Sequence, residues 1–160
     1  MIRIPAGLLQ QIAEAAEAAY PKECCGLVAG TGDGTDGFQV TRVVASANVA
    51  SGDHADSFEV DPQVRFDLMR ELGEIGDAPN SGERLIGHYH SHPDHPPVPS
   101  DRDLAAAYEP DMVWIIAAVD AGRVTAITAH RLDPARGRFA EIPLQSDDGA
   151  SYADAPPNRS

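Results

Sequence analysis

The segment Gly87-His88-Tyr89-His90-Ser91-His92-Pro93, followed by Pro99-Ser100-Asp101-Arg102-Asp103, concentrates side chains able to do chemistry. Residues two apart on a strand share a face, so His90 and His92 present two imidazoles side by side, about 7 Å apart at Cα. Both can turn inward onto one ion. Asp103 follows in the first turn of the next helix and can add an oxygen ligand. Two histidines and one carboxylate leave a fourth position open for water, the arrangement of catalytic zinc sites. Such a site needs a general base, and Glu23, at the mouth of an apolar strand, is the candidate. Spacing alone does not bring Glu23 to His90.

Each residue also has a plainer reading. The histidine pair suits a polar strand surface. Asp103 suits a helix first turn, where acids favour the dipole. Ser100 with Asp103 suits a capping box. His88 shares the face of His90 and His92, but a fourth protein ligand would close the water position, so it reads as a supporting or structural residue. His95 reads as solvated, and His54 and His130 carry no signal. Cys24 and Cys25 are adjacent, point to opposite faces and read as small buried residues, not a disulfide. Trp114 reads as core.

The elements that must position these groups follow from periodicity. Ala6 to Tyr20 reads as a helix with Leu8, Ile12, Ala15, Ala16 and Ala19 on one stripe, ended by Pro21. Glu23 to Ala29 reads as a strand, residues 31–37 as a turn, Phe38 to Val49 as one strand or two, and Ser57 to Val60 as a brief extended piece. Asp61-Pro62 starts a helix whose stripe is Val64, Leu68, Leu72 and Ile75. Gly76 to Gly82 is a loop and Arg84 to His90 a strand. Four prolines, Pro93, Pro96, Pro97 and Pro99, make the next stretch irregular. Ser100 caps a short helix from Asp101 to about Tyr108. Val113 to Val119 reads as a buried central strand, with Arg123 to Leu132 and Phe139 to Leu144 as further strands. This order predicts an α/β or α+β domain over residues 1–144, a mixed sheet flanked by helices, with a disordered polar tail over 145–160.

Composition narrows the function. With 160 residues and a hydrophobic fraction of 42%, the chain can bury a core. A net charge of −13 argues against nucleic acid as a partner. Neither a signal peptide nor a run near the roughly 20 apolar residues of a membrane span is read, so a cytoplasmic location is expected.

Glu23 followed by Gly26, then His90-Ser91-His92-Pro93, then Ser100 and Asp103, resembles the JAMM (MPN+) metallopeptidase family. That pattern is a distant Glu, His-x-His, ten intervening residues and Asp, with Ser three before the Asp, and every position matches here. The departures are His88, where relatives have an apolar residue, and the additional His95. The resemblance implies a fold similar to cytidine deaminases. It also implies Zn2+ on His90, His92 and Asp103, with Glu23 deprotonating the zinc water and Ser100 stabilising the oxyanion. The implied reaction is hydrolysis after the C-terminal Gly-Gly of a ubiquitin-like or sulfur-carrier β-grasp protein. In that case residues 91–99 are expected to wall the groove for the tail. A non-catalytic MPN interaction module and a RadC-like protein are the alternatives, and the intact ligand set and acidic charge favour the peptidase. Oligomeric state is not legible.

Overall fold

The structure, a computed structural model, describes residues 1–72, 82–105 and 111–148. Eleven elements follow one another: β1 (Ile2–Ile4), α1 (Ala6–Ala19), β2 (Cys25–Asp33), β3 (Gly37–Ser46), α2 (Pro62–Leu72), β4 (Arg84–Pro93), α3 (Asp101–Ala105), β5 (Val113–Asp120), β6 (Arg123–Asp133), β7 (Arg138–Ile142) and β8 (Leu144–Ser146). The eight strands form one mixed sheet in the order β7-β6-β5-β4-β2-β3-β1-β8. The expected mixed sheet with helices packed on it is therefore what the chain adopts.

The central strand β4 pairs antiparallel with β2 and parallel with β5. Both its neighbours are themselves covered, so β4 is buried almost throughout. β5, Val-Trp-Ile-Ile-Ala-Ala-Val, is buried from end to end until Asp120. Helix α1 packs on one face. Its buried residues are Leu9, Ile12, Ala13 and Ala16, so the stripe sits about one residue round from the expected one. They meet Val28, Tyr89, Ile115 and Ala117 in the larger core. The opposite face carries Leu27, Trp114 and Leu85 against Leu68 and Leu72 of α2.

Five expectations change. β1 was not anticipated; Ile2 and Ile4 are fully buried in it, and it pairs with both β3 and β8. β2 starts after Glu23 and runs on to Asp33, and β4 continues past His90 to Pro93, so His90 and His92 both lie on regular strand. The single strand expected over Phe139 to Leu144 is two, because Pro143 supplies no N–H for a ladder. β7 and β8 then lie at opposite ends of the strand order with only Pro143 between them, so the sheet curls until its ends meet there. The polar tail accordingly starts later than Gln145: β8 reaches Ser146, and Asp147 accepts the Ala6 amide at 2.9 Å. Ile75, most of the 76–82 loop, the end of the helix expected to reach Tyr108, and residues 149–160 lie outside the described residues.

Candidate metal centre

The register of β2 against β4 delivers Glu23. Cys25 pairs with His90, Gly26 with Tyr89 and Leu27 with His88. Counting on in the same antiparallel sense sets Cys24 against Ser91 and Glu23 against His92. The bonds follow: the Ser91 amide donates to the Cys24 carbonyl at 3.2 Å, and the Cys24 amide donates to Ser91 Oγ at 2.8 Å. Paired residues project to the same face, so Glu23 stands with His90 and His92. The backbone at Glu23 is held from the other side. Its amide donates to the His54 carbonyl at 2.7 Å, and the Asn48 side-chain amide donates to its carbonyl at 3.2 Å.

Asp103 arrives on α3. The Ser100 amide donates to Asp103 Oδ2 at 2.8 Å and the Asp103 amide donates to Ser100 Oγ at 3.0 Å, a reciprocal capping box that aims the carboxylate. His90 Nε2 and His92 Nε2 lie 3.0 Å apart. His90 Nε2 is 3.4 Å from Asp103 Oδ1, and His92 Nε2 is 3.2 Å from Asp103 Oδ2. One ligand atom each of Glu23, His90 and His92 also lies within 4.8 Å of the others. All four residues are buried. The five sequence candidates are thus brought together: Glu23 and Asp103 each lie against the His90–His92 pair, and Ser100 lines the same cleft.

The electrostatics follow from burial and from this proximity. Burial pushes the Glu23 carboxyl up to about 8, with His92 opposing and Asp103 and Asp56 adding to the rise. Burial would raise Asp103 as well, but the two imidazoles and the Ser100 amide outweigh it and hold Asp103 ionised, below the usual carboxylate range. Burial lowers His90, which keeps it a neutral ring with a free lone pair. For His92, burial also acts downward, but Asp103 and the Pro96 carbonyl overcome it and the net shift is up.

The donor set fits a small divalent cation. A tetrahedral ion with Zn–N and Zn–O bonds near ~2.0 Å needs ligand atoms roughly 3.3 Å apart. The two imidazole nitrogens are 3.0 Å apart, and each lies 3.2 to 3.4 Å from its own oxygen of the Asp103 carboxylate, separations of that size. Two facing imidazole nitrogens buried beside a carboxylate are poorly satisfied by one another alone, and a shared cation takes both lone pairs. The His92 tautomer is suited to it, since Nδ1 donates to the Pro96 carbonyl at 2.9 Å and leaves Nε2 as the ligand atom.

Two contributors carried no sequence signal. The Phe58 ring stacks on His90 with centroids 4.1 Å apart and planes 14° from parallel. Among the described residues His90 Nδ1 has no hydrogen-bond partner, so on that side of the ring the Phe58 stack helps to orient it. Asn48 organises the loop that presents Phe58: its side chain donates to the Ser57 carbonyl and accepts from the Ala50 and Glu59 amides. His88, expected in support, packs edge-on against Trp114 at 4.2 Å, and burial lowers it to about 3, so it is neutral. His95 is exposed at the cleft rim. Cys25 is buried among the carbonyls of Ser46, Ala47 and Glu59, while Cys24 is half-buried against the larger core.

The site opens into a cleft of about 480 Å3 lined by Ala55, Asp56, Pro96, Val98 and Arg102, the last ion-paired with Asp56 at 3.4 Å. Among the described residues, no helix is long and apolar enough to cross a membrane.

Residues 5–132 match the family described as prokaryotic homologs of the JAB domain. A relative from Haloferax volcanii, described as a desampylase, is 34% identical over 122 residues, covering 74% of this chain and 78% of that protein. Three solved structures share the fold. Protein DSY2949 from Desulfitobacterium hafniense gives a TM-score of 0.73 at 23% identity, over 92% of this chain and 94% of that one. A protein from Salinibacter ruber gives 0.61 at 29% identity, over 94% of each. AF2198, a JAB1/MPN domain protein from Archaeoglobus fulgidus, gives 0.53 at 21% identity, over 89% of this chain and 97% of that one.

Proposed function

Since the chain belongs to the prokaryotic JAB-domain family, we propose that it is a zinc-dependent metallopeptidase of the JAMM type. Its substrate is the amide bond after the C-terminal Gly-Gly of a small ubiquitin-like or sulfur-carrier β-grasp protein. The observation that carries the reading is the convergence of His90 Nε2 and His92 Nε2, 3.0 Å apart, on the Asp103 carboxylate, whose two oxygens lie 3.4 and 3.2 Å from them, with Glu23 set beside them by strand register. The relative described as a desampylase supports an isopeptidase acting on a ubiquitin-like modifier.

Zinc held by His90, His92 and Asp103 would act as a Lewis acid, bring a water's pKa to near ~7 and, as a positive charge, lower the Glu23 carboxyl again. Glu23 takes the proton of the attacking water on its carboxylate and later passes it to the leaving amine nitrogen. Burial limits the number of waters competing for that carboxylate. The Ser100 hydroxyl accepts from the Asp103 amide, so its own proton is free to be donated toward the developing oxyanion. His92 and Asp103 keep their orientation through the Pro96 carbonyl and the Ser100 amide. The wall formed by Pro96 and Val98 gives an extended tail an apolar surface, and glycine at the scissile position lets backbone pass close to it.

The test uses the purified full chain loaded with zinc and a β-grasp protein carrying a C-terminal extension. Mass spectrometry should find trimming to Gly-Gly, with kcat lowered at least ~10²-fold in Glu23→Gln while zinc is retained. An Ala-Ala tail should be cleaved far more slowly. His90→Ala, His92→Ala and Asp103→Ala should each lose most of about one zinc per chain. Full zinc content in all three, or undiminished trimming by Glu23→Gln, would refute the assignment.

A further inference from the structure

The proline-rich loop over residues 94–99 forms one wall of the cleft and holds the carbonyl that orients His92. Pro96 and Pro97 have no N–H, so this stretch has few donors with which to brace itself. Its backbone bonds are Asp94 N to the Val119 carbonyl, His95 N to the His92 carbonyl and Val98 N to the Pro96 carbonyl. The start of the loop is anchored at Asp94, whose carboxylate accepts the Tyr20 hydroxyl at 2.7 Å and the Ala121 amide at 3.1 Å. Beyond that point a hydrogen bond between His92 Nδ1 and the Pro96 carbonyl orients whichever partner is softer. The carbonyl can fix the ring only if something else fixes the carbonyl.

That support comes from β6. Thr128 Oγ1 lies 2.9 Å and His130 Nε2 3.1 Å from the Pro97 carbonyl, and the two side chains are 2.8 Å from each other. Their place follows from sheet register. His90 pairs with Ile116 and Ile116 with Thr128; His88 pairs with Trp114 and Trp114 with His130. Thr128 and His130 therefore project from the face that carries the site imidazoles, two strand spacings (roughly 10 Å) from β4. The loop folds back over β5 to reach them. The proton arrangement is also settled by the distances. A carbonyl and a hydroxyl both face His130 Nε2, and the carbonyl can only accept. Nε2 must carry a proton directed at Thr128 Oγ1 and the Pro97 carbonyl, and the Thr128 hydroxyl donates its own proton to that carbonyl. His130 is 4% exposed, so water does not replace this pair.

We propose that Thr128 and His130 are positioning residues for the site, clamping the Pro97 carbonyl and, through the adjoining Pro96 carbonyl, fixing the His92 ring with Nε2 turned to the other ligands. The consequence for zinc rests on the metallopeptidase reading; the consequence for the ring does not. The clamp also means that the cleft wall exists before a substrate arrives.

The experiment compares wild type with Thr128→Val, His130→Phe and His130→Gln, all as full chains. In the metal-free 15N-labelled proteins, long-range 15N–1H spectra read the His92 tautomer. In the same proteins, zinc alone is titrated against a chromophoric chelator. Wild type should show His92 protonated at Nδ1. Thr128→Val, which keeps shape and loses the hydroxyl, and His130→Phe should show a mixed tautomer and about tenfold weaker zinc binding, the lower end for residues that support a ligand. His130→Gln, whose amide still donates, should recover most of both. A wild-type tautomer and wild-type zinc affinity in Thr128→Val would overturn the clamp. So would a His130→Gln protein as impaired as His130→Phe. If His130→Phe does not fold, Thr128→Val decides the matter. A disturbed His92 tautomer in variants of a protein that binds no zinc would uphold the clamp and refute the metal reading.

Discussion

Gly26 is where a single methyl group should disturb the site most instructively. It lies on β2 directly across from Tyr89 of β4. A Cβ built on Gly26 would sit 2.4 Å from Cε1 and Cζ of Tyr89 and 2.5 Å from its hydroxyl oxygen. The ring cannot simply move off, because Tyr89 is 2% exposed and packs in the core under α1. Gly26→Ala must therefore either displace the ring or part the strands. Overpacking of this kind costs about 2 kcal/mol, within a usual span of about 1–3. For a chain of this length that lowers Tm by about 4–8 °C. Tyr89 lies between His88 and His90, so the same displacement strains the ligand strand, and zinc binding should weaken with stability. The assay is thermal unfolding followed by circular dichroism, on a double-mutant cycle with Tyr89→Leu. Tyr89→Leu alone opens a void, but combined with Gly26→Ala the added methyl partly fills it. The pair should be coupled by at least about 1 kcal/mol. Additive losses, or a Gly26→Ala protein that melts with wild type, would show that the ring does not rest on this glycine.

Two further outcomes are expected. Phe58→Ala should weaken zinc binding roughly two- to twelvefold, the equivalent of an aromatic stack worth about 0.5–1.5 kcal/mol; Phe58→Tyr should not, and unchanged binding in Phe58→Ala would mean the stack does not orient His90. In the metal-free protein, folding raises the Glu23 carboxyl from 4.5 to about 8 through burial, so its contribution to stability is complete below 4.5 and is lost as the pH rises toward 8. Glu23→Gln does not titrate, so its stability relative to wild type should increase across that window in urea unfolding with chelator present; a difference that stays constant with pH would refute the buried, raised carboxyl.

The metal-site candidates could be read from the sequence because they sit on short-range patterns. His-x-His on a strand and Ser-x-x-Asp at a helix start each carry their own geometry. Residues linked only through pairing could not be read that way. Glu23 could be nominated but not located, because its neighbour His92 is chosen by the β2–β4 register, a long-range property. Phe58, Asn48, Thr128 and His130 leave no local trace: a phenylalanine in a loop or a histidine on a half-buried strand is common for other reasons. The fold shows the same division. The apolar runs of β5 and the stripe of α2 are visible over eight to eleven residues. Three-residue β1 and β8 are too short to show periodicity, and both exist because they pair with each other at the seam of the curled sheet.

The position of the site follows from the connectivity of β4. Its parallel neighbour β5 starts level with Gly87, so the chain leaving Pro93 must travel back along the sheet before it can pair. The connection begins over the C-terminal end of β4, the end at which open sheets with parallel strands bind ligands. Its first helical turn, in α3, can therefore set a side chain against the last inward-facing residues of β4, which are His90 and His92. The antiparallel neighbour runs the other way, so β2 begins where β4 ends, and the residues just ahead of β2 arrive at the same place. Start of β2, end of β4 and start of α3 thus meet by topology alone. Glu23, the two histidines and Asp103 occupy those three positions, which is why Glu23 and His90 can stand 67 positions apart in sequence (90 − 23) without loosening the site: the distance along the chain is closed by the two ladders on either side of β4, not by the loops between.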